Sequence, residues 1–266
     1  MTAVPRPTPP YKGTIGRLTE DCVPDPIVLD SAPEDAPNVV LVLLDDVGFG
    51  SFGAFGGPVP APGLERVAAD GLRFNRFHTT AICAPTRAAM LTGRNHHTVH
   101  MGHITEAATS YPAFDSVIPR EAATVAEVLR QHGYATGMFG KSHLTPSWER
   151  GPAGPFDRWP TGLGFDRFYG YNCQRHAHHY YPYYLWNDNQ RDMLWGNFGM
   201  ETEDYAPDLI QEKTLQFIEA NKDEPFFIYY ALVQPHAEMF APEEKMEKYR
   251  GKFLPESSYE GTDEGP

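Results

Sequence analysis

The chain has 266 residues, 41% of them hydrophobic, which is enough to bury the core of one large domain or two small ones and excludes a disordered, tail-like protein. A formal net charge of −13 offers no general basic face to nucleic acid or to an anionic membrane surface, so an anionic ligand must meet a local positive site. Three widely spaced cysteines, Cys22, Cys83 and Cys173, do not form a disulfide framework and fit a reducing, cytoplasmic setting.

In chain order, residues 1–37 read as a Pro-rich extended segment without the apolar stretch of a signal peptide, and no later run approaches the roughly 20 apolar residues that span a bilayer. Asn38 to Leu44 is an unbroken β-rich apolar run, which predicts a strand buried on both faces of a parallel sheet and ending at Asp45-Asp46. Pro62 to Asp70 reads as a helix stopped by Gly71, and Leu72 to His78 as a second extended segment. Pro85 suits the first turn of a helix and Gly93 its end, which puts Cys83 at the mouth of that helix and Arg87 one turn in. Thr124 to His132 predicts a helix ended by Gly133, followed by a strand over Ala135 to Phe139 that runs into Gly140-Lys141-Ser142-His143. Leu209 to Ile218 has helical spacing, and Pro225 to Leu232 reads as a strand leading to Gln234-Pro235-His236. The alternation predicts an α/β fold, a mostly parallel central sheet with helices on both faces and no internal repeat.

Three predicted strands thus end at polar groups: Asp45 with Asp46, Lys141 with His143, and His236. Open α/β sheets place their ligands at that edge. Adjacent carboxylates, two histidines and a lysine there point to a divalent metal and an anionic, oxygen-rich substrate, because the carboxylates alone would repel such a substrate. Cys83, at a helix N-terminus where free N–H groups favour negative charge, reads as either a buried structural cysteine or a thiolate nucleophile. A phosphatase-type loop needs an arginine six residues after the cysteine, and Ala89 stands there.

Other patterns carry less. Gly48 to Gly53 satisfies G-x-G-x-x-G, but the Gly- and Pro-rich stretch that follows forbids the helix a dinucleotide site requires, and Leu72 to His78 has no acidic residue at its end. His96, His97, His100 and His103 read as loop residues lining the pocket rather than zinc ligands, Cys173 to Tyr184 as a wall over the substrate, and Glu243-Glu244 and the tail over 259–266 as solvated surface.

Cys83-x-Pro85-x-Arg87 followed by Thr92-Gly93 resembles the signature of the type I sulfatases, and Leu44 to Gly50, Gly140 to His143 and Pro235-His236 resemble further blocks of that family in the same order. The resemblance implies an alkaline phosphatase-like fold and a sulfuric ester hydrolase of the arylsulfatase kind. It implies that Cys83 is oxidised to formylglycine by a formylglycine-generating enzyme, and that calcium is held by Asp45, Asp46 and the hydrated aldehyde made from Cys83. One hydroxyl of that hydrate would attack the sulfur of a sugar or other small sulfate ester. His143 would help deprotonate the second hydroxyl, which expels sulfate. Lys141 and Arg87 would cradle the sulfate oxygens, and His236 would protonate the departing alcohol. The same scaffold also suits a phosphonate or phosphodiester hydrolase.

The family's later Asp-Asn pair and second sulfate-binding lysine are not found. Asp188-Asn189 is not accepted as a replacement, since it is followed by Gln190 and is not expected to follow a strand. Residues 38–266 are therefore expected to be the front part of a catalytic domain, truncated before the last metal ligands, with an inactive sulfatase-like module as the alternative. A sheet cut there leaves an open edge, which predicts poor solubility for the chain alone.

Overall fold

The computed structural model describes residues 10–25, 31–253 and 255. The tail over 259–266 and residues 1–9 and 26–30 of the N-terminal segment lie outside the described residues. The described part of that segment is not simply extended. It doubles back through an antiparallel bridge between Thr14 and Val23 around a 3-10 turn over Thr19–Asp21.

The chain then forms β1 (Val39–Leu43), α1 (Pro62–Asp70), α2 (Cys83–Thr92), α3 (Val125–Gln131) and β2 (Ala135–Lys141). It continues through β3 (Arg167–Tyr171), α4 (Gln174–Ala177), β4 (Tyr184–Asn187), β5 (Gln190–Met193), α5 (Ala206–Ala220), β6 (Phe226–Ala231) and α6 (Glu243–Glu247). The sheet order is β1-β6-β2-β3-β4-β5, with β1, β6, β2 and β3 parallel and β4 and β5 antiparallel to their neighbours.

Local chemistry sets the helix ends. The Thr124 hydroxyl caps α3 by accepting the Glu127 N–H at 3.0 Å, and Gly93, at φ 64, closes α2 with its N–H on the Ala89 carbonyl. Alternation along the strands then sorts the core into two layers. Met138, Phe168, Phe227 and Tyr229 face α2 and α3 through Ala84, Ala88, Leu91 and Ala126, whereas Phe139, Tyr169 and Ile228 face Ile210 and Phe217 of α5. Each fully buried large side chain contributes about 1.5–3 kcal/mol. Gly140, at φ 110, lets β2 lie against β6, since a Cβ there would stand 1.9 Å from the Ala231 carbonyl oxygen.

Several expectations need correction. The apolar run of β1 is not buried on both faces: the strand pairs only with β6, and Val39, Val40 and Val42 are 38%, 48% and 46% exposed. Apolar composition reports what a strand tolerates, not how many neighbours it receives. Leu72 to His78 joins no strand, and Leu72, Phe74 and Phe77 are exposed. β2 continues through Lys141, so the lysine closes the strand rather than following it. A short 3-10 turn over Gly53–Phe55 does form after the glycine pattern, but the first α-helix waits until Pro62.

The bare β1 edge offers unpaired backbone groups flanked by exposed valines, the geometry that templates aggregation. The double substitution Val40→Lys and Val42→Lys is expected to raise the monomeric fraction of the purified chain on size-exclusion chromatography. An unchanged aggregate fraction would place the sticky surface elsewhere.

Candidate active site

The carboxyl ends of the parallel strands gather the polar groups. Asp45 lies two residues past β1, its N–H bonded to the Gln234 carbonyl beyond β6 at 3.1 Å, so the two loops leave the sheet together. Asp46, at φ 59, and His143, at φ 57, both take the left-handed backbone conformation, which turns the chain sharply after the strands. For a non-glycine residue this costs about 1–3 kcal/mol and is found where function fixes the backbone.

At the centre, the buried Asp45 carboxylate meets Lys141 Nζ at 2.5 Å through one oxygen and Arg87 Nη2 at 3.2 Å through the other. Arg87 Nη1 also donates to the Lys141 carbonyl at 2.5 Å, which ties α2 to the end of β2. Burial pushes the Asp45 carboxyl up, but the charges of Arg87 and Lys141 outweigh it and hold the group below its usual range. Burial and the neighbouring Arg87 push the Lys141 ammonium down. Arg87 Nη2 is committed to Asp45, whereas the buried Nε has no hydrogen-bond partner among the described residues, which leaves one donor for an anionic oxygen. Arg87, Asp45, Asp46 and Cys83 line one open cleft of about 500 Å³.

Cys83 is the first residue of α2. Its Sγ lies 3.2 Å from His143 Nδ1 and 3.7 Å from Gln174 Oε1. Burial pushes the Cys83 thiol above its ordinary value, with Asp45 adding to the shift against the opposing charges of Lys141 and Arg87. His143 is fully buried, and its Nε2 lies 2.7 Å from Glu106 Oε2. Burial pulls its imidazole down to about 4 despite the carboxylate, so the ring is neutral at neutral pH. Burial pushes Glu106 up, but the His143 hydrogen bond and the Arg150 charge bring it to about 2, so the pair is a neutral imidazole facing an ionised carboxylate. His236 Nε2 lies 3.3 Å from Asp46 and 2.6 Å from Gln174 Nε2, and its ring lies 4.8 Å from that of His178.

The structure therefore gathers Asp45, Asp46, Cys83, Arg87, Lys141, His143 and His236 at one sheet edge. Two contributors escaped the sequence: Glu106, from a 3-10 turn over Thr105–Ala107, and Gln174, from α4. No motif marks either; the only signal was that a buried His143 needs a partner for its second nitrogen. The histidine loop does not line the cleft as expected. His96 bonds the Met101 carbonyl, His100 pairs with Asp115 and His103 accepts from the Ile104 N–H, so the loop folds on itself.

Asp188-Asn189, contrary to expectation, does follow a strand. It is the turn between β4 and β5, and because β4 is antiparallel the turn lies at the opposite end of the sheet, where Asp188 accepts the Phe168 N–H at 2.8 Å. Among the described residues no three His, Cys, Asp or Glu side chains converge to hold a metal ion. Asp45 and Asp46 are hard oxygen donors of the right kind, but both oxygens of Asp45 already face cations. Two carboxylates do not fill the six to eight positions of calcium, so the described residues fit only part of a calcium cage.

The family model described as Sulfatase matches residues 37–260. An arylsulfatase of Hemicentrotus pulcherrimus is 33% identical over 228 residues, 80% of this chain and 40% of its own length. Arylsulfatase A of Homo sapiens is 35% identical over 245 residues, 82% of this chain and 45% of its own length. A protein solved in complex with its substrate D-glucosamine-2-N,6-O-disulfate superposes with a TM-score of 0.64 at 26% identity, covering 84% of this chain and 40% of the other. The chain thus spans less than half the length of these relatives, and its sheet, with helices on both faces, has their alkaline phosphatase-like architecture.

His176 of α4 gives the site a pH-dependent support. Its ring packs between Tyr171 and Tyr184, neither nitrogen has a hydrogen-bond partner, and burial pulls its imidazole down to about 4. An unfolded histidine takes up its proton near pH 6.5, so stability is complete above about 6.5 and declines as the pH falls to about 4, by at most about 3 kcal/mol. Thermal unfolding of His176→Phe is expected to show a smaller loss across that window than the parent chain; parallel curves would exclude His176 as the source.

Proposed function

The chain belongs to the sulfatase family, and on that premise we propose that it hydrolyses sulfate esters at the cleft lined by the end of β1 and the start of α2, beside the ends of β2 and β6. The observation that carries this reading is the buried Lys141–Asp45–Arg87 cluster beside residue 83, two cations against one carboxylate, with the guanidinium Nε left without a hydrogen-bond partner among the described residues. Such a preorganised positive pocket in a low-dielectric setting stabilises charge developing on sulfate oxygens without rearrangement.

Within the proposal, Arg87 and Lys141 bind the sulfate oxygens. His143 Nδ1, facing residue 83 at 3.2 Å, takes and returns a proton there. His236 is assigned to the departing alcohol oxygen; its Nε2 accepts from the Gln174 amide at 2.6 Å, which orients the ring, and it must take up a proton before it can deliver one. A plain cysteine nucleophile is disfavoured, since burial opposes the thiolate it requires. On the resemblance of Cys83-x-Pro85-x-Arg87 to the sulfatase signature, we assign Cys83 as the precursor of formylglycine, made by a formylglycine-generating enzyme; hydrated, that group would supply two hydroxyls on one carbon. Asp45 and Asp46 would hold calcium, which supplies Lewis-acid polarisation of a sulfate oxygen. The alcohol is proposed to be a sugar, on the likeness to the protein bound to its disulfated glucosamine and to an N-acetylgalactosamine-6-sulfatase of Homo sapiens, 32% identical. Near His236, the His178 ring lies 4.8 Å from the imidazole, and the buried Tyr180 donates to the His236 carbonyl at 2.7 Å, which steadies that loop.

Release of 4-nitrophenol from its sulfate ester tests the activity. Cys83→Ala is expected to abolish turnover while leaving thermal unfolding nearly unchanged, and the tryptic peptide carrying Cys83 should show the mass of an aldehyde in the active preparation. A Cys83→Ala chain as fast as the parent would eliminate residue 83 from the chemistry. A fully converted but inactive chain would favour an anion-binding module without catalysis.

Calcium titration by calorimetry gives a second check. With only part of a cage, the chain is expected to bind with a Kd of about 10⁻⁴ M or weaker, and Asp46→Asn to lose the signal. Nanomolar binding, or binding indifferent to Asp46, would put the cation elsewhere.

A further inference from the structure

His143 makes two contacts through opposite sides of its ring. Nδ1 faces Cys83 Sγ at 3.2 Å and Nε2 faces Glu106 Oε2 at 2.7 Å. Turning the ring over would replace both nitrogens with carbons, so one orientation satisfies both contacts. The backbone contributes as well: His143 sits in a left-handed turn directly after Ser142, whose N–H continues the sheet pairing on the Tyr171 carbonyl at 2.8 Å.

The Glu106 carboxylate is itself fixed. Its Oε2 also accepts from Thr105 Oγ1 at 3.0 Å, and its Oε1 faces Arg150 Nη1 at 2.5 Å. The fully buried Thr105 gives its carbonyl to Ser147 Oγ at 2.7 Å, which pins the turn over Thr105–Ala107 to the segment that carries Arg150. A carboxylate with a guanidinium on one oxygen is an acceptor on the other, so the hydrogen between Glu106 and His143 belongs to the imidazole. The tautomer follows from this network: Nε2 carries the hydrogen, and Nδ1 presents a lone pair to residue 83.

We infer that Glu106 is a positioning residue that locks His143 in its Nε2–H tautomer and ring orientation, so that Nδ1 accepts a proton from the side chain at position 83. The inference rests on the reading of His143 as the proton-transfer group of the proposed sulfatase site. Glu106 touches neither position 83 nor the cleft-lining cations in any contact described above; it works through the imidazole. A glutamine at 106 would keep the shape, but its amide N–H₂ would offer a donor to Nε2 and so favour the opposite tautomer, with hydrogen on Nδ1 facing residue 83.

The test uses the 266-residue chain with ¹⁵N-labelled histidine, reading the two ring nitrogens of His143 by long-range proton–nitrogen correlation, with His143→Asn for assignment. The parent chain is expected to show a pure Nε2–H ring, and Glu106→Gln a mixture or a switch to Nδ1–H. Glu106→Asp should retain the parent tautomer in part. In the converted enzyme, kcat for 4-nitrophenyl sulfate should fall about ten-fold or more in Glu106→Gln with KM nearly unchanged, and Glu106→Asp should recover part of the loss. A pure Nε2–H ring in Glu106→Gln overturns the inference, whatever happens to the rate. A tautomer switch with unchanged kcat also overturns it, by showing that the tautomer does not matter to turnover. If the parent chain has no sulfatase activity, the function reading fails while the nitrogen shifts still decide whether Glu106 sets the ring. Loss of thermal stability without a tautomer change would reduce Glu106 to an anchor for Arg150.

Discussion

The constraint on which the site depends is the buried Asp45 carboxylate. Taking one carboxylate, one ammonium and one guanidinium out of water costs several kcal/mol per ion, and the attraction among them offsets this only if the geometry is tight. Here the distances are 2.5 and 3.2 Å, and Arg87 adds a hydrogen bond to the Lys141 carbonyl. The cluster binds the end of β1, the end of β2 and the first turns of α2 to one another, so none of the three can shift without exposing an unpaired charge. It also leaves a local positive excess in a chain whose formal net charge is −13. Low-dielectric walls focus that excess into the cleft, which is what the proposed anionic substrate requires of an acidic protein.

Sheet topology decides which loops take part. Four parallel strands deliver their carboxyl ends to one edge, and β1, β2 and β6 each carry site residues there. The antiparallel β4 and β5 carry their turn to the other end of the sheet. Asp188-Asn189 is thereby excluded from the site by direction, although its composition resembles a metal-binding pair. The position of β1 has a different consequence. Among the described residues β1 is the outermost strand, so Asp45 and Asp46 are presented from a sheet edge, and Asp46 remains 63% exposed while Asp45 is buried.

Much of this was legible in the sequence because the informative residues are local. The apolar runs of β1, β2 and β6 stop at charged or imidazole side chains, and α2 announces itself by Pro85 and Gly93. What the sequence hid is tertiary. Asn38 to Leu44 has the composition of a central strand, but exposure depends on neighbours supplied by distant parts of the chain, and β1 receives only β6. Glu106 lies in a short turn just after histidines that looked more promising, and nothing near it marks a partner for a residue 37 positions away. Gln174 was masked in the same way by the histidines and tyrosines around it, although it alone bridges toward both Cys83 and His236 in the contacts described.

The two histidines that meet the reacting centre are held in different ways, and the difference follows from burial. His143 has no access to water, so its protonation state is set by what surrounds it: the cations Lys141 and Arg87 oppose a third positive charge, and Glu106 takes the hydrogen of the neutral ring. His236 lies nearer the solvent and leans on Asp46, Gln174 and its own loop, where Nδ1 meets the Ala237 carbonyl at 3.0 Å. An interior group that must cycle a proton with a fixed partner benefits from a locked ring, because any misorientation removes the acceptor from line. The two imidazoles thus differ in depth, His143 with none of its side chain exposed and His236 with 12%, a consequence of where the sheet edge places each residue relative to water.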